Sequence, residues 1–244
     1  MDLDKEIAFF DRFAEQGEYD VLGEGAYERL LSVFEELVRP ERGERGIDLG
    51  CGTGAFTKRL LRFGLDMTGM DISPVSVERA NDTATAERYV VGDITKTGLP
   101  EASFDIICYS GVLHHFDEDA LRLEVLREGC SILKPGGRLF AFDPSAHSPS
   151  MWLYRDPRSP LYSDKGKTEN EVLLTRAGLE SQLGEAGFGR VRVRGVSGTT
   201  FSFVESRFAR LILPLYNLYE RAVQRSPFEN RLGTFLVSFA AKPG

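Results

Sequence analysis

Acidic residues follow or end three short apolar segments of the chain, and a run of glycines comes directly after the first of them. Asp48 stands two residues before Gly50 in the run IDLGCGTGAF, which also contains Gly52; Asp71 ends the second segment and Asp93 opens the loop after the third. Glycines between a strand and a helix allow a tight turn and let a ligand approach bare backbone. The first turn of the helix then offers unpaired N–H groups. The pattern predicts a ligand site at one edge of a sheet.

Each of the three carboxylates suits a different part of a ligand. A carboxylate at Asp48 would repel a dinucleotide pyrophosphate and attract an ammonium group. Asp71, about twenty residues after Gly50, is placed to accept both hydroxyls of a ribose, and Asp93 could accept from an exocyclic adenine amine. An ammonium group, a ribose and an adenine together describe S-adenosylmethionine. With Ala55 the same glycines also satisfy the G-x-G-x-x-A pattern, so a nicotinamide dinucleotide remains an alternative.

Three histidines follow strand-like segments and are candidates for proton transfer with an acceptor. His114 and His115 follow residues 104–109, and His147 follows residues 138–142. Histidine is the side chain most often used as a general base near neutral pH. The adjacent pair could equally cap and pack the next helix, whereas His147 stands in an irregular connection expected to adjoin the acceptor. No metal-ligand set is predicted.

Short apolar segments alternate with helical patterns, and these elements must position the candidate residues. The predicted strands are 46–49, 67–70, 88–91, 104–109, 138–142, 190–196 and 234–240. Helical patterns occur at 4–38, 54–63, 74–86, 118–132 and 176–186, and residues 144–170 form an irregular connection. Strands alternating with helices predict right-handed crossovers and a mainly parallel sheet.

A further helical stripe of apolar residues precedes the last strand. It consists of Val204, Phe208, Leu211, Leu215, Leu218 and Ala222, with arginines between them and Pro214 inside the pattern. Such a stripe favours packing on the edge of the domain itself. It could also line an apolar acceptor pocket together with His147, Trp152 and Tyr154, or contact a second copy or a membrane surface.

The composition limits the kinds of binding partner and the cellular location that we expect. The 244 residues carry a formal net charge of −7, which disfavours phosphate backbones, so no nucleic acid is expected. Three well-separated cysteines fit neither a disulfide framework nor a zinc knuckle, and they favour a cytoplasmic location. The charged N-terminus lacks a signal-peptide pattern and no apolar run approaches the length of a membrane span, so no integral membrane association is predicted. A homodimer is left open.

At five motifs the chain resembles the class I S-adenosylmethionine-dependent methyltransferases. These motifs are IDLGCGTGAF, GMDIS, VGDI, FDIICYSGVLHHF and LKPGG, in the family's order. The resemblance implies an α/β, Rossmann-like three-layer sandwich, whose seven-stranded, mainly parallel sheet has the order 3-2-1-4-5-7-6 with strand 7 antiparallel. It also implies one methyltransferase domain over 1–244. Its parts would be a helical cap at 1–43, a cofactor-binding core at 44–143, and an acceptor-side half at 144–244 with an insert at 197–232.

The resemblance also implies residue roles and a reaction. Cofactor contacts would come from Asp48, Gly50, Cys51 and Gly52 at the methionine part, Asp71 and Ile72 at the ribose, Asp93 and Ile94 at the adenine, Ser110 beneath the sulfonium, and Tyr19 or Tyr27 at the carboxylate. The methyl group would pass by in-line displacement to a small, partly apolar organic acceptor, leaving S-adenosylhomocysteine. A nicotinamide-dependent oxidoreductase and a non-catalytic S-adenosylmethionine-binding regulator are the alternatives. No Tyr-x-x-x-Lys pair supports the oxidoreductase.

Overall fold

Seven strands form one sheet in the computed structural model, which describes residues 3–15, 22–156, 158, 162, 168, 170–199 and 207–244. The strands are β1 Arg45–Leu49, β2 Asp66–Asp71, β3 Arg88–Val91, β4 Phe104–Ser110, β5 Leu133–Pro144, β6 Gly189–Val196 and β7 Phe235–Ala241. Their order is 3-2-1-4-5-7-6, with β7 antiparallel to β5 and β6 and the pairs among β1 to β5 parallel. The predicted fold class and strand order are confirmed.

Helices and short 3₁₀ turns connect the strands. The helices are α1 Leu3–Glu15, α2 Glu24–Val38, α3 Ala55–Leu60, α4 Pro74–Asp82, α5 Asp119–Ile132, α6 Pro149–Arg155, α7 Arg176–Glu185, α8 Arg207–Gln224 and α9 Glu229–Leu232. The 3₁₀ turns are Leu61–Phe63 and Leu113–His115. None of the helices in the described part of the chain is both long enough and apolar enough to cross a membrane.

Helix α6 lies within the connection that the sequence predicts to be irregular. Ser148 caps its N-terminus, since the Ser148 hydroxyl accepts from the Met151 N–H, and Pro149 occupies the first helical turn. A serine cap followed by proline is a recognised start signal for a helix. The helix has only seven residues, which is too short to show a clear apolar period. The start signal is therefore the main sequence feature that indicates this helix.

Alternate residues of the central strands face opposite helical layers. On β4, Ile107 and Tyr109 belong to the same buried cluster as side chains of α5 and α7. Ile106 and Cys108 belong instead to the cluster that contains side chains of α2 and α3. Because both faces of the sheet are covered, its central strands are largely apolar, and most of their charged side chains lie near the strand ends.

Helix α1 crosses the carboxyl edge of the sheet, and two of its carboxylates form hydrogen bonds with neighbouring segments. The Asp11 carboxylate accepts from the Ser73 hydroxyl at 2.5 Å, immediately before α4. The Glu6 carboxylate accepts from the Asn170 side-chain amide at 2.6 Å. These two contacts attach α1 to the β2 side of the edge and to the connection that follows α6.

We expect Ser73→Ala to lower the free energy of unfolding by about 1–2 kcal/mol, because the Ser73 hydroxyl caps α4 and also binds Asp11. Urea denaturation measures the change. Ser181→Ala removes an exposed serine of α7 and should stay within about 0.5 kcal/mol of the wild type. Equal stability of both variants would contradict the cap and the attachment of α1.

Candidate active site

One buried carboxylate ties the glycine turn after β1 to the end of β2. Asp71 is 5% exposed; its Oδ2 accepts from the Gly52 N–H at 2.7 Å, and its Oδ1 accepts from the Ser73 N–H at 3.0 Å. Burial raises the pKa of Asp71 above its ordinary value. A carboxylate offers about four lone-pair positions, so Asp71 can shape the turn and still accept from further donors.

The glycines of this turn are required by the backbone and by packing. Gly50, Gly52 and Gly54 have φ angles of 78°, 53° and 77°, in the left-handed region that favours glycine. A Cβ atom on Gly50 would lie 2.4 Å from Cγ2 of Val112, and one on Gly54 would lie 2.2 Å from the Tyr89 hydroxyl. Gly50 and Gly54 are therefore needed to leave space for the side chains of Val112 and Tyr89, independently of any ligand.

Cys51 is buried in this turn and packs with Val77, Ala80 and Tyr89. Burial raises the pKa of the Cys51 thiol well above its ordinary value, so the group stays neutral near pH 7. The side chain behaves here as a small apolar group.

Asp48 joins three elements at the carboxyl edge. Its Oδ2 accepts from the Thr57 hydroxyl of α3 at 2.7 Å, and its Oδ1 accepts from the Ser110 hydroxyl of β4 at 2.8 Å. The side chain is fully buried, and burial raises the pKa of Asp48 to about 6. Asp48, predicted near the methionine part, is thus hydrogen-bonded directly to Ser110, predicted beneath the sulfonium.

The other predicted cofactor residues occupy different environments. Ile72 and Asp93 are half-buried just beyond the ends of β2 and β3, and Oδ1 of Asp93 accepts from the Thr95 N–H and hydroxyl at 2.8 Å. Ile94 is buried in the core. Tyr27 is also a core residue, with the guanidinium of Arg59 3.9 Å from its ring centroid. Tyr19 lies outside the described residues.

A second polar group lies beyond the ends of β4 and β5. Nδ1 of His114 lies 3.0 Å from Oδ1 of Asp143, and the same oxygen accepts the His114 N–H at 3.1 Å. Because an ionised carboxylate only accepts, Nδ1 carries the proton and Nε2 is the basic nitrogen. That nitrogen lies 3.8 Å from Oε1 of Glu171.

His115 and Glu171 complete this group. The His115 ring lies 4.2 Å from that of His114, and its Nδ1 lies 3.2 Å from the Thr168 hydroxyl. Burial lowers the pKa of His115, with His114 and Arg155 acting in the same direction, so its ring is neutral near pH 7. The Glu171 side chain is 3% exposed, and its Oε1 lies 3.5 Å from Nε of Arg155.

These three residues are also the candidate metal ligands among the described residues. His114, His115 and Glu171 each place one ligand atom within 4.8 Å of the others. Arg155 already supplies a positive charge beside Glu171, so the group needs no cation for charge balance. The absence of a metal remains a prediction.

The three histidines predicted from the sequence do not lie together in the structure. The structure brings His114 and His115 together, whereas His147 lies exposed on the turn after β5, with its N–H donated to the Ser145 hydroxyl at 3.2 Å. The side chain of Tyr154 lies outside the described residues. The sequence does not predict Glu171 or Arg155, because no local pattern marks residues that only the fold brings to His114.

This sheet order, with a glycine turn and carboxylates at its carboxyl edge, is the fold of the class I S-adenosylmethionine-dependent methyltransferases. Residues 47–141 match the family model described as "Methyltransferase domain". A methyltransferase of Archaeoglobus fulgidus, described as S-adenosylmethionine-dependent, superposes with a TM-score of 0.61 at 19% identity, covering 88% of this chain and 92% of that one. At that identity the likeness concerns the fold.

Sequence relatives extend the match beyond the core. An uncharacterized methyltransferase of Synechocystis sp. is 30% identical over 186 residues, covering 76% of this chain and 86% of the relative. The 27-O-demethylrifamycin SV methyltransferase of Amycolatopsis mediterranei is 30% identical over 175 residues, covering 66% of this chain and 63% of the relative. The chain therefore belongs to the S-adenosylmethionine-dependent methyltransferase family.

The sequence predicts Asp48 beside the cofactor's ammonium group, and with its raised pKa this role predicts a pH dependence for cofactor binding. In that position the ammonium group would favour the ionised carboxylate, so the ligand would bind more tightly above this pKa than below it. The affinity for S-adenosylhomocysteine should fall by up to about tenfold per pH unit below about pH 6. Calorimetric titrations between about pH 5 and 8 measure this, and Asp48→Asn should flatten the dependence. An unchanged slope in Asp48→Asn would assign the effect to another group.

Proposed function

We propose that the chain methylates a small, partly apolar organic acceptor whose nucleophilic atom carries a proton. The observation that carries this proposal is the buried His114–Asp143 pair, which lies against His115, whose ring in turn meets Phe10 of α1 edge-on. A base and an apolar surface at the same sheet edge suit an acceptor that must lose a proton as it is methylated.

The residues at the β1 to β3 side of the edge fit the cofactor. Asp48, Asp71 and Asp93 would hold its ammonium, ribose and adenine parts, with Ser110 beneath the sulfonium. Two features support this fit: a carboxylate such as Asp71 has room for a further donor beside its backbone donors, and Ile72 and Asp93 are only half-buried. When bound, S-adenosylmethionine supplies a methyl group with a neutral leaving group, so alignment and exclusion of water account for most of the acceleration.

The His114–Asp143 pair would hold the acceptor's proton. Asp143 keeps the hydrogen of His114 on Nδ1, which leaves Nε2 to take up a proton as the acceptor is methylated. The carboxylate of Glu171, 3.8 Å from Nε2, would stabilise the resulting imidazolium. His147, on its exposed turn, remains a second candidate for a contact with the acceptor.

Aromatic side chains support the apolar part of the proposal. The rings of Phe9 and Phe13 stack at 5.8 Å, and Phe10 meets the His115 ring edge-on at 5.2 Å. These rings form an apolar surface beside the histidine pair. One relative is named for methylation of 27-O-demethylrifamycin SV, which supports an organic acceptor. No observation on the described residues favours the oxidoreductase or the non-catalytic regulator.

Asp143→Asn should slow methyl transfer by about 10²–10⁴-fold, because a neutral amide stabilises the His114 imidazolium less than a carboxylate does. The assay measures S-adenosylhomocysteine formed from S-adenosylmethionine with a panel of phenols, hydroquinones, carboxylic acids and amines. The best acceptor of the wild type is then compared across variants.

Asp82→Asn, at the exposed end of α4, is the matched control and should keep the wild-type rate. Affinity for S-adenosylhomocysteine should be unchanged in both variants, which separates the base from cofactor binding. A wild-type rate in Asp143→Asn would contradict the proposed base.

A further inference from the structure

Helix α8 exposes three large apolar side chains on one face. Leu211, Leu215 and Leu218, here called the leucine stripe, are 75%, 68% and 64% exposed. At about 3.6 residues per turn they fall within an arc of about 60°. Of the alternatives the sequence left open, packing of this stripe on the domain is therefore excluded for these three leucines. A contiguous exposed apolar surface usually marks an interaction site.

The opposite side of α8 explains why the leucine stripe faces outward. Glu220 is fully buried, and its carboxylate accepts from the hydroxyls of Thr234 and Ser150 and from the Gly198 N–H. Val223 is buried on the same side of the helix. Rotating α8 to bury the leucine stripe would break the hydrogen bonds of a buried carboxyl group, which is costly. The packing of α8 through Glu220 and Val223 therefore keeps the leucine stripe exposed.

The charges beside the leucine stripe are positive. Arg221 and Arg225 are exposed and lie on one side of the stripe. The sequence from 207 to 225 contains four arginines and one acidic residue, the buried Glu220, within a chain of net charge −7. Two copies packed through this face would bring their arginines together and repel. A surface rich in phosphate would attract the same arginines.

We propose that α8 docks the protein on an anionic lipid bilayer, with the leucine stripe in the acyl boundary and Arg221 and Arg225 at the headgroup phosphates. An apolar face bordered by arginine is the pattern of helices that lie in the plane of a membrane interface. Arginine suits this border because its stem packs against acyl chains while its guanidinium stays at the headgroups. The helix lies on the membrane and does not cross it.

Co-sedimentation of the full chain with vesicles tests this proposal. The protein should bind phosphatidylcholine vesicles that contain phosphatidylglycerol and should bind pure phosphatidylcholine vesicles much more weakly, with binding that declines as salt is added. The triple variant Leu211→Gln, Leu215→Gln, Leu218→Gln should lose binding. Arg221→Gln with Arg225→Gln should weaken binding to the anionic vesicles about 25-fold, about fivefold for each arginine.

Val91→Gln is the matched control, because Val91 is an apolar residue 55% exposed on β3, away from α8. It should bind as the wild type does. Unchanged thermal midpoints in circular dichroism show that the variants are folded. No binding of the wild type to the anionic vesicles, or wild-type binding by the leucine variant, would overturn the proposal. A dimer in sedimentation velocity that the leucine variant abolishes would also overturn it, by assigning the stripe to a second copy.

Discussion

The buried carboxylate of Asp71 is the interaction on which the arrangement of the site depends. It accepts from the backbone of Gly52 and of Ser73, so the glycine turn, the end of β2 and the start of α4 have one relative position. A buried carboxylate without these donors would carry a large desolvation cost. Ser73 in turn binds Asp11, which connects α1 and its aromatic rings to the same point.

The edge of the sheet divides into two chemically different halves, and a side-chain hydrogen bond between Asp48 and Ser110 joins them. On the β1 side, Asp48 lies under the proposed cofactor position; on the β4 side, Ser110 lies next to the turn that carries His114. The bond between Asp48 and Ser110 therefore couples the group that would bind the cofactor to the strand that leads to the proposed base. The His114–Asp143 pair repeats this design between β4 and β5.

The sequence predicts most of the fold because the strands are covered on both faces and consequently appear as apolar segments between turns. Glu171 could not be predicted. It reaches His114 only because the Val172 N–H donates to the His114 carbonyl, and residues 145 and 174 form a parallel bridge. Helical periodicity revealed the stripe of α8 but not its direction, which is determined by the burial of Glu220 on the opposite side. Such pairings depend on tertiary contacts that no local pattern encodes.

The central claim is that Asp71 both organises the glycine turn and accepts the ribose hydroxyls of S-adenosylmethionine. Calorimetric titration of S-adenosylhomocysteine into the wild type and Asp71→Ala, with NADH as the control ligand, tests it most directly. The account predicts one site per chain in the wild type, no binding of NADH, and a loss of about 1.5–3 kcal/mol of binding free energy in the variant. Equal affinities in the two proteins, or binding of NADH in place of S-adenosylhomocysteine, would contradict it.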